Sequence, residues 1–125
     1  MNARIYYHHT DCGGVVYYAN YLKFLEEART EYFEQRGIFM KDLSGKGILF
    51  VVSRQEIDYK FPAVYGDTLE IDVKITDVGA AKIEFVNQIK RQDGKTIALA
   101  KTILVCVDKN LKPKSILEDI RSKLT

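Results

Sequence analysis

The densest chemistry in this 125-residue sequence lies between Tyr6 and Tyr21. A carboxylate, Asp11, stands one residue ahead of the pair Gly13-Gly14, and Tyr17-Tyr18-Ala19-Asn20-Tyr21 then leads into the clearest helical pattern of the chain. A positioned carboxylate can serve as nucleophile or as general base. The first N–H groups of a helix lack intrahelical partners and sit at the positive end of its dipole, so they stabilise negative charge developing nearby. Carboxylate and free amides together are the parts that acyl transfer needs. Thioester hydrolysis asks for little more, because a thiolate of pKa about 8.5 leaves without a strong general acid. The competing reading makes Asp11 a turn or capping residue, a common place for Asp. On physical grounds alone that structural reading is the more frequent one.

The remaining candidates carry less. His8 and His9, the only histidines, fall in a segment read as a strand, where neighbours point to opposite faces and cannot act as a pair. Cys12 adjoins Asp11 but has no histidine placed to activate it, and Cys106 ends a strand pattern as buried filler. No CxxC or Cys/His spacing is present, so no metal or cofactor is expected. Among the tyrosines, Tyr21 and Tyr32 recur at helical spacing and belong to the core, which leaves Tyr7 and Tyr18 as pocket walls.

These residues must be positioned by a small set of elements. Residues 3–9, rich in Ile and Tyr, read as a first strand, and 10–15 as a turn. Over 19–36, Tyr21, Phe24, Leu25, Ala28, Tyr32 and Phe33 form one helix face. Lys23, Glu26, Glu27 and Thr30 occupy a solvated or subunit-facing side; Asn20 suits the N-cap and Gly37 the left-handed position past the end. From residue 48 the period changes from 3.6 to 2, giving strands over 48–61, 68–78, 82–91 and 95–107, with Asp93-Gly94 a hairpin turn. In the last strand, Ile97, Leu99, Ile103 and Val105 share a face opposite small or apolar residues, which suggests a central position or a subunit contact. After Pro113, Ile116, Leu117, Ile120 and Leu124 form a short amphipathic cap. The order predicts an α+β fold over 1–125, with hairpin-linked antiparallel strands burying one sheet face on the long helix.

Composition excludes several classes. A net charge of +2 with scattered lysines does not describe a nucleic-acid binder. Two cysteines make no disulfide scaffold. The first residues lack the apolar core of a signal peptide, and no apolar run reaches membrane-spanning length, which points to a reduced, cytoplasmic setting.

The run Thr10-Asp11-Cys12-Gly13-Gly14-Val15-Val16-Tyr17-Tyr18-Ala19-Asn20-Tyr21, with Glu27-Ala28-Arg29 after it, resembles the signature of the 4-hydroxybenzoyl-CoA thioesterase family, nearest the branch associated with Tol–Pal envelope genes. Asp58-Tyr59, Pro62-Ala63 and Gly66-Asp67 resemble that family's second-strand ending and turn. The resemblance covers nearly the whole chain. It implies a hotdog fold, a five-stranded antiparallel sheet wrapped around one long helix with a short C-terminal helix. It implies hydrolysis of short-chain or aromatic acyl-CoA, or of an acyl-carrier-protein thioester, with Asp11 as catalytic carboxylate and the Tyr18 main-chain N–H polarising the carbonyl. Gly14 would admit close approach of substrate, with Tyr7 and Lys82 as further contacts. Many members of the Tol–Pal-associated branch have His where this chain has Tyr18, and the turn at 78–82 keeps only Lys82 where the hydroxybenzoyl-type branch has an arginine cluster. Homo-oligomers, dimers through strand 2 or tetramers, are implied, with Asp11 near the partner's residues 50–62. Two rival readings remain: a non-catalytic acyl-binding module of the same fold, and a hydratase, which would need a histidine that the helix does not have.

Overall fold

The computed structural model describes residues 1–124. Strand β1 (Asn2–Arg4) and a single 3-10 turn (Tyr7–His9) precede helix α1 (Asn20–Glu34) and a short α2 (Met40–Gly45). Strands β2 (Leu49–Tyr59), β3 (Thr68–Val78), β4 (Lys82–Arg91) and β5 (Thr96–Val107) follow, then α3 (Glu118–Leu124). The five strands form one antiparallel sheet in the order β1-β3-β4-β5-β2. Leu69, Ile71, Ile83, Phe85 and Ile89 line its inner face and are essentially inaccessible, as is Leu25 of α1. This is the hotdog arrangement expected. Among the described residues, no helix is long and apolar enough to cross a membrane.

The first strand is shorter than its sequence suggests. Past Ile5, whose N–H reaches Asp67 O at 2.8 Å, the chain leaves the sheet. There the His9 Nδ1 accepts the Tyr6 N–H at 2.9 Å and the Thr10 hydroxyl donates to Tyr7 O at 2.8 Å, so side-chain bonds replace the ladder. His8 and His9 therefore do not alternate across a strand. Their ring centroids lie 3.9 Å apart on one turn.

Strands β2 and β3 are not a hairpin either. The β2–β3 connection is too long for a tight turn and is drawn over the start of α1, where Val16 N donates to Ala63 O at 2.9 Å. Strand β2 instead pairs with β5 and becomes an edge, and β5 becomes central, which explains its two apolar faces. A bulge at the start of β5 gives Ile97 O two donors, Lys60 N at 2.8 Å and Phe61 N at 3.2 Å, and buries both Ile97 and Ala98. Ile97 thus parts from Leu99, which is exposed on the outer face, and the core face of β5 is the small one of Ala98, Ala100, Thr102, Leu104 and Cys106.

At the C-terminal end of α1, Ile38 N reaches Phe33 O and Gly37, at φ +76°, reaches Glu34 O, the paired bonds of a Schellman closure. The N-cap is Ala19 rather than Asn20. Asn20 Nδ2 donates instead to His9 O at 2.8 Å, which ties the helix to the preceding turn. Helix α2 carries no periodic signal because its six residues bury only Leu43. In the C-terminal segment Ile116, Ile120 and Leu124 are buried as expected, but Leu117 is exposed.

Candidate active site

Asp11 sits at the bend that Gly13 and Gly14 permit. Its N–H donates to Val15 O at 2.9 Å, its carbonyl accepts from Gly14 N at 3.0 Å, and its Oδ1 accepts from Gly13 N at 2.8 Å. The structural and chemical readings of Asp11 are therefore compatible. One carboxylate oxygen closes the turn, and no other donor among the described residues engages the side chain, which is exposed. Gly14 holds φ at +81°, a conformation that costs an L-residue about 1–2 kcal/mol. Gly13 has a different constraint, since a Cβ there would lie 3.2 Å from Asp11 Oδ1 and push on the carboxylate. We expect Gly14→Ala to lower stability by about 1 kcal/mol, read as a drop in unfolding midpoint, because only backbone strain is added.

Two isolated bridges, Thr10 with Val16 and Val15 with Val64, clamp this loop between the 3-10 turn and the β2–β3 connection. Tyr17 N donates to His9 O at 2.9 Å. The main-chain N–H groups of Tyr18 and Ala19, immediately before α1, donate to nothing among the described residues. They remain available to an incoming oxygen.

Beside the loop lies a cavity of about 260 Å³ walled by Val15, Tyr18, Tyr21, Tyr59 and Phe61, with Lys60 at its rim. Tyr59, at the end of β2, donates its hydroxyl to Tyr18 O at 3.1 Å, and the two rings meet edge-on at 6.2 Å. Burial, with Tyr18 alongside, pushes the Tyr59 phenol up, so it keeps its proton and its role as donor. Burial likewise pushes Tyr21 up to about 12, in keeping with its core position. The Tyr17 phenol is raised first by its neighbour Tyr18 and, more weakly, by the Asp11 charge. His9 is lowered, by burial first and then by His8 and Lys23. A larger cavity, about 480 Å³, opens on the outer sheet face between Glu56, Asp72, Lys74 and Leu99, away from the Asp11 loop.

Asp11 and Gly14 share the turn of the loop and Tyr18, just before α1, walls the cavity beside it, while two expected contacts lie elsewhere. Tyr7 is 73% exposed and stacks on Tyr65 with centroids 4.0 Å apart. Lys82 pairs with Val105, whereas Tyr59 at the cavity pairs with Ala98, so the two are separated by roughly 23 Å of strand. Cys12 is exposed and Cys106 buried, with its thiol pushed up by burial, as suits filler.

Two residues named only within the resembling motifs were assigned no place in the site. Tyr59 carried strand alternation and a motif match but no sign of its bond to Tyr18, which is set by tertiary packing. Arg29 had a signal, a charge inside the apolar stripe between Leu25 and Phe33, and it is 7% exposed. Among the described residues, no cluster of three or more His, Cys, Asp or Glu could hold a metal ion.

A family model described as thioesterase-like superfamily matches residues 7–124. The acyl-CoA thioester hydrolase YbgC of Escherichia coli O6:H1 is 35% identical over 118 residues, covering 94% of this chain and 88% of that protein. The acyl-CoA thioesterase YbgC of Haemophilus influenzae is 35% identical over 123 residues, covering 95% and 88%. In three dimensions the chain is similar to a 1,4-dihydroxy-2-naphthoyl-CoA thioesterase from Synechocystis, at a TM-score of 0.92 and 22% identity over 99% of this chain and 93% of that one. That identity speaks to fold alone. The sequence matches carry the assignment: this chain belongs to the thioesterase-like superfamily.

Proposed function

We propose that this chain hydrolyses acyl-CoA thioesters of short-chain or aromatic acids, with Asp11 as nucleophile or general base. The observation that carries the reading is a carboxylate with an uncommitted oxygen on the loop that runs to unpaired amides at a helix start, a loop whose Val15 and Val16 line an aromatic-walled cavity. Attack on the thioester carbon places negative charge on the carbonyl oxygen, and the Tyr18 main-chain N–H is the donor nearest to hand. The C–S bond then breaks and the thiolate departs with the electron pair, taking its proton from solvent. If Asp11 attacks directly, a water molecule then cleaves the mixed anhydride it forms with the acyl group; if it activates water, that water forms the acid at once; either way one water is consumed and a carboxylic acid and a thiol are released. The names of the two YbgC relatives support the acyl-CoA class.

The site is completed, on this reading, by a second copy. Strand β2 is an open edge eleven residues long, and such an edge invites pairing. Two β2 strands side by side would set residues 50–62 of one copy near Asp11 of the other, and could bring Lys82 across as well. The experiment is thiol release across a panel of acyl-CoA and acyl-carrier-protein thioesters, run beside a measurement of particle mass. Turnover of at least one acyl-CoA by an oligomer is the expected result. Binding without thiol release would leave a non-catalytic acyl-binding module in its place.

A further inference from the structure

Tyr59 closes strand β2 and walls the cavity beside the Asp11 loop, yet its hydroxyl donates to a main-chain carbonyl, Tyr18 O, at 3.1 Å. That carbonyl lies outside the helical ladder. The α-helical pattern would bring Leu22 N to it, but Leu22 N donates to Ala19 O at 3.2 Å instead. The Tyr59 ring is held in place for this bond, with Tyr18 edge-on at 6.2 Å and Tyr21 tilted at 5.6 Å. Tyr21 is itself buried, so this side of the phenol rests on the core.

The carbonyl of Tyr18 and the N–H of Ala19 belong to one amide. A hydrogen bond accepted at the oxygen polarises the whole unit and makes its N–H a stronger donor. That N–H has no partner among the described residues. Its surroundings aim it outward. Asn20 N closes a turn on Tyr17 O at 2.9 Å, and Ala19 already holds helical angles, φ −71° and ψ −21°. Tyr18 and Ala19 thus lead into the first turn of α1, where free N–H groups project from the N-terminal end.

We infer that Tyr59 is a positioning residue for thioester hydrolysis, acting through the Ala19 N–H, which serves as a second donor to the thioester carbonyl oxygen. The relay runs from the Tyr59 O–H to the Tyr18 C=O, and through that amide from the Ala19 N–H to the oxygen on which charge collects. A bond to a charged acceptor is stronger than one to a neutral carbonyl, so the relay acts on the transition state more than on bound substrate. Tyr59 touches no reacting atom, and the Tyr18 N–H, which belongs to the preceding amide, is outside its reach. This role rests on the thioesterase reading above.

The test is thiol release by the full-length chain, wild type and Tyr59→Phe, from the best acyl-CoA of the panel, with the Ala19 amide nitrogen resonance recorded for both free proteins. Phenylalanine keeps the ring and removes only the hydroxyl. The relay predicts a kcat lower by about fivefold at a nearly unchanged KM, since a bond passed through one amide alters the next by roughly 10–30% and an oxyanion donor is worth about 10²–10³ in rate. It also predicts that the Ala19 nitrogen signal moves upfield when the bond at Tyr18 O is lost. Ala19→lactic acid, which exchanges the N–H for an ester oxygen, should lower kcat by about a hundredfold. Tyr59→Phe added to that change should then lower it no further. A folded Tyr59→Phe protein with undiminished kcat overturns the relay and leaves the thioesterase reading standing. So does a raised KM with an unmoved Ala19 signal, the mark of a ring that only walls the cavity. If Tyr59→Phe fails to fold, the ester variant decides, and full kcat there overturns Ala19 as a donor. A wild type that releases no thiol from any acyl-CoA overturns both the relay and the reading beneath it.

Discussion

Asp11→Asn is expected to lower kcat/KM for the best acyl-CoA substrate by about a thousandfold, within the 10²–10⁴ range of a positioned acid–base group. The unfolding midpoint should scarcely move. The reason is visible in the turn. Asn presents the same oxygen to Gly13 N that Asp11 Oδ1 presents at 2.8 Å, so the loop keeps its closing bond. What is lost is the negative charge on the second oxygen, which in the proposed mechanism attacks the thioester or takes the proton from water. Thiol release and thermal unfolding on the same preparation separate the two effects. Undiminished hydrolysis by a folded Asp11→Asn protein would sink the thioesterase mechanism proposed for this loop.

The largest loss of stability is expected from Phe85→Ala, at about 3–5 kcal/mol. Phe85 is inaccessible at the centre of β4, and its ring meets Phe33 edge-on at 5.7 Å and Tyr32 at 6.0 Å. It therefore joins the sheet to the C-terminal half of α1 and to the cluster that includes Ile38, Leu43 and Ile120. Three separate segments border the hole left by truncation, and none can close it alone. Chemical denaturation should show a lower midpoint with a nearly unchanged slope. The candidate active site lies at the other end of the helix, so the fraction that stays folded should keep its kcat. A loss below 1 kcal/mol would mean that this cluster is far looser than its burial indicates.

Much of this architecture is legible in the residues. The 3.6-residue spacing of Tyr21, Phe24, Leu25, Ala28 and Phe33 returns as the buried face of α1, and the alternation in β3 and β4 returns as their inner faces. Where the reading failed, a non-local interaction had displaced a local rule. The Ile-Tyr run at 3–9 has β propensity, yet imidazole and hydroxyl bonds from His9 and Thr10 bend it away from the sheet. Ile97 alternates correctly in sequence, but two donors from the end of β2 press on its carbonyl and turn it inward. Within the site, Asp11, Gly14 and Tyr18 could be named because all three belong to one short segment. Tyr59 comes from a strand some forty residues on, and nothing local announces its bond to Tyr18.

The pairing of β2 with β5 also sets an order of events. Strands β3, β4 and β5 can zip through short turns, whereas Gln55 finds Thr102 only across 47 positions of chain. Closure over that distance is slow compared with a hairpin, so β2 finds its place after the β3–β5 meander has formed. During synthesis, α1 and β2 leave the ribosome well before β5 exists, and the Phe50-Val51-Val52 run meets the cell unpaired. Charges at Arg54, Glu56 and Asp58, in the second half of the same strand, keep that waiting segment from becoming an uninterrupted apolar ribbon.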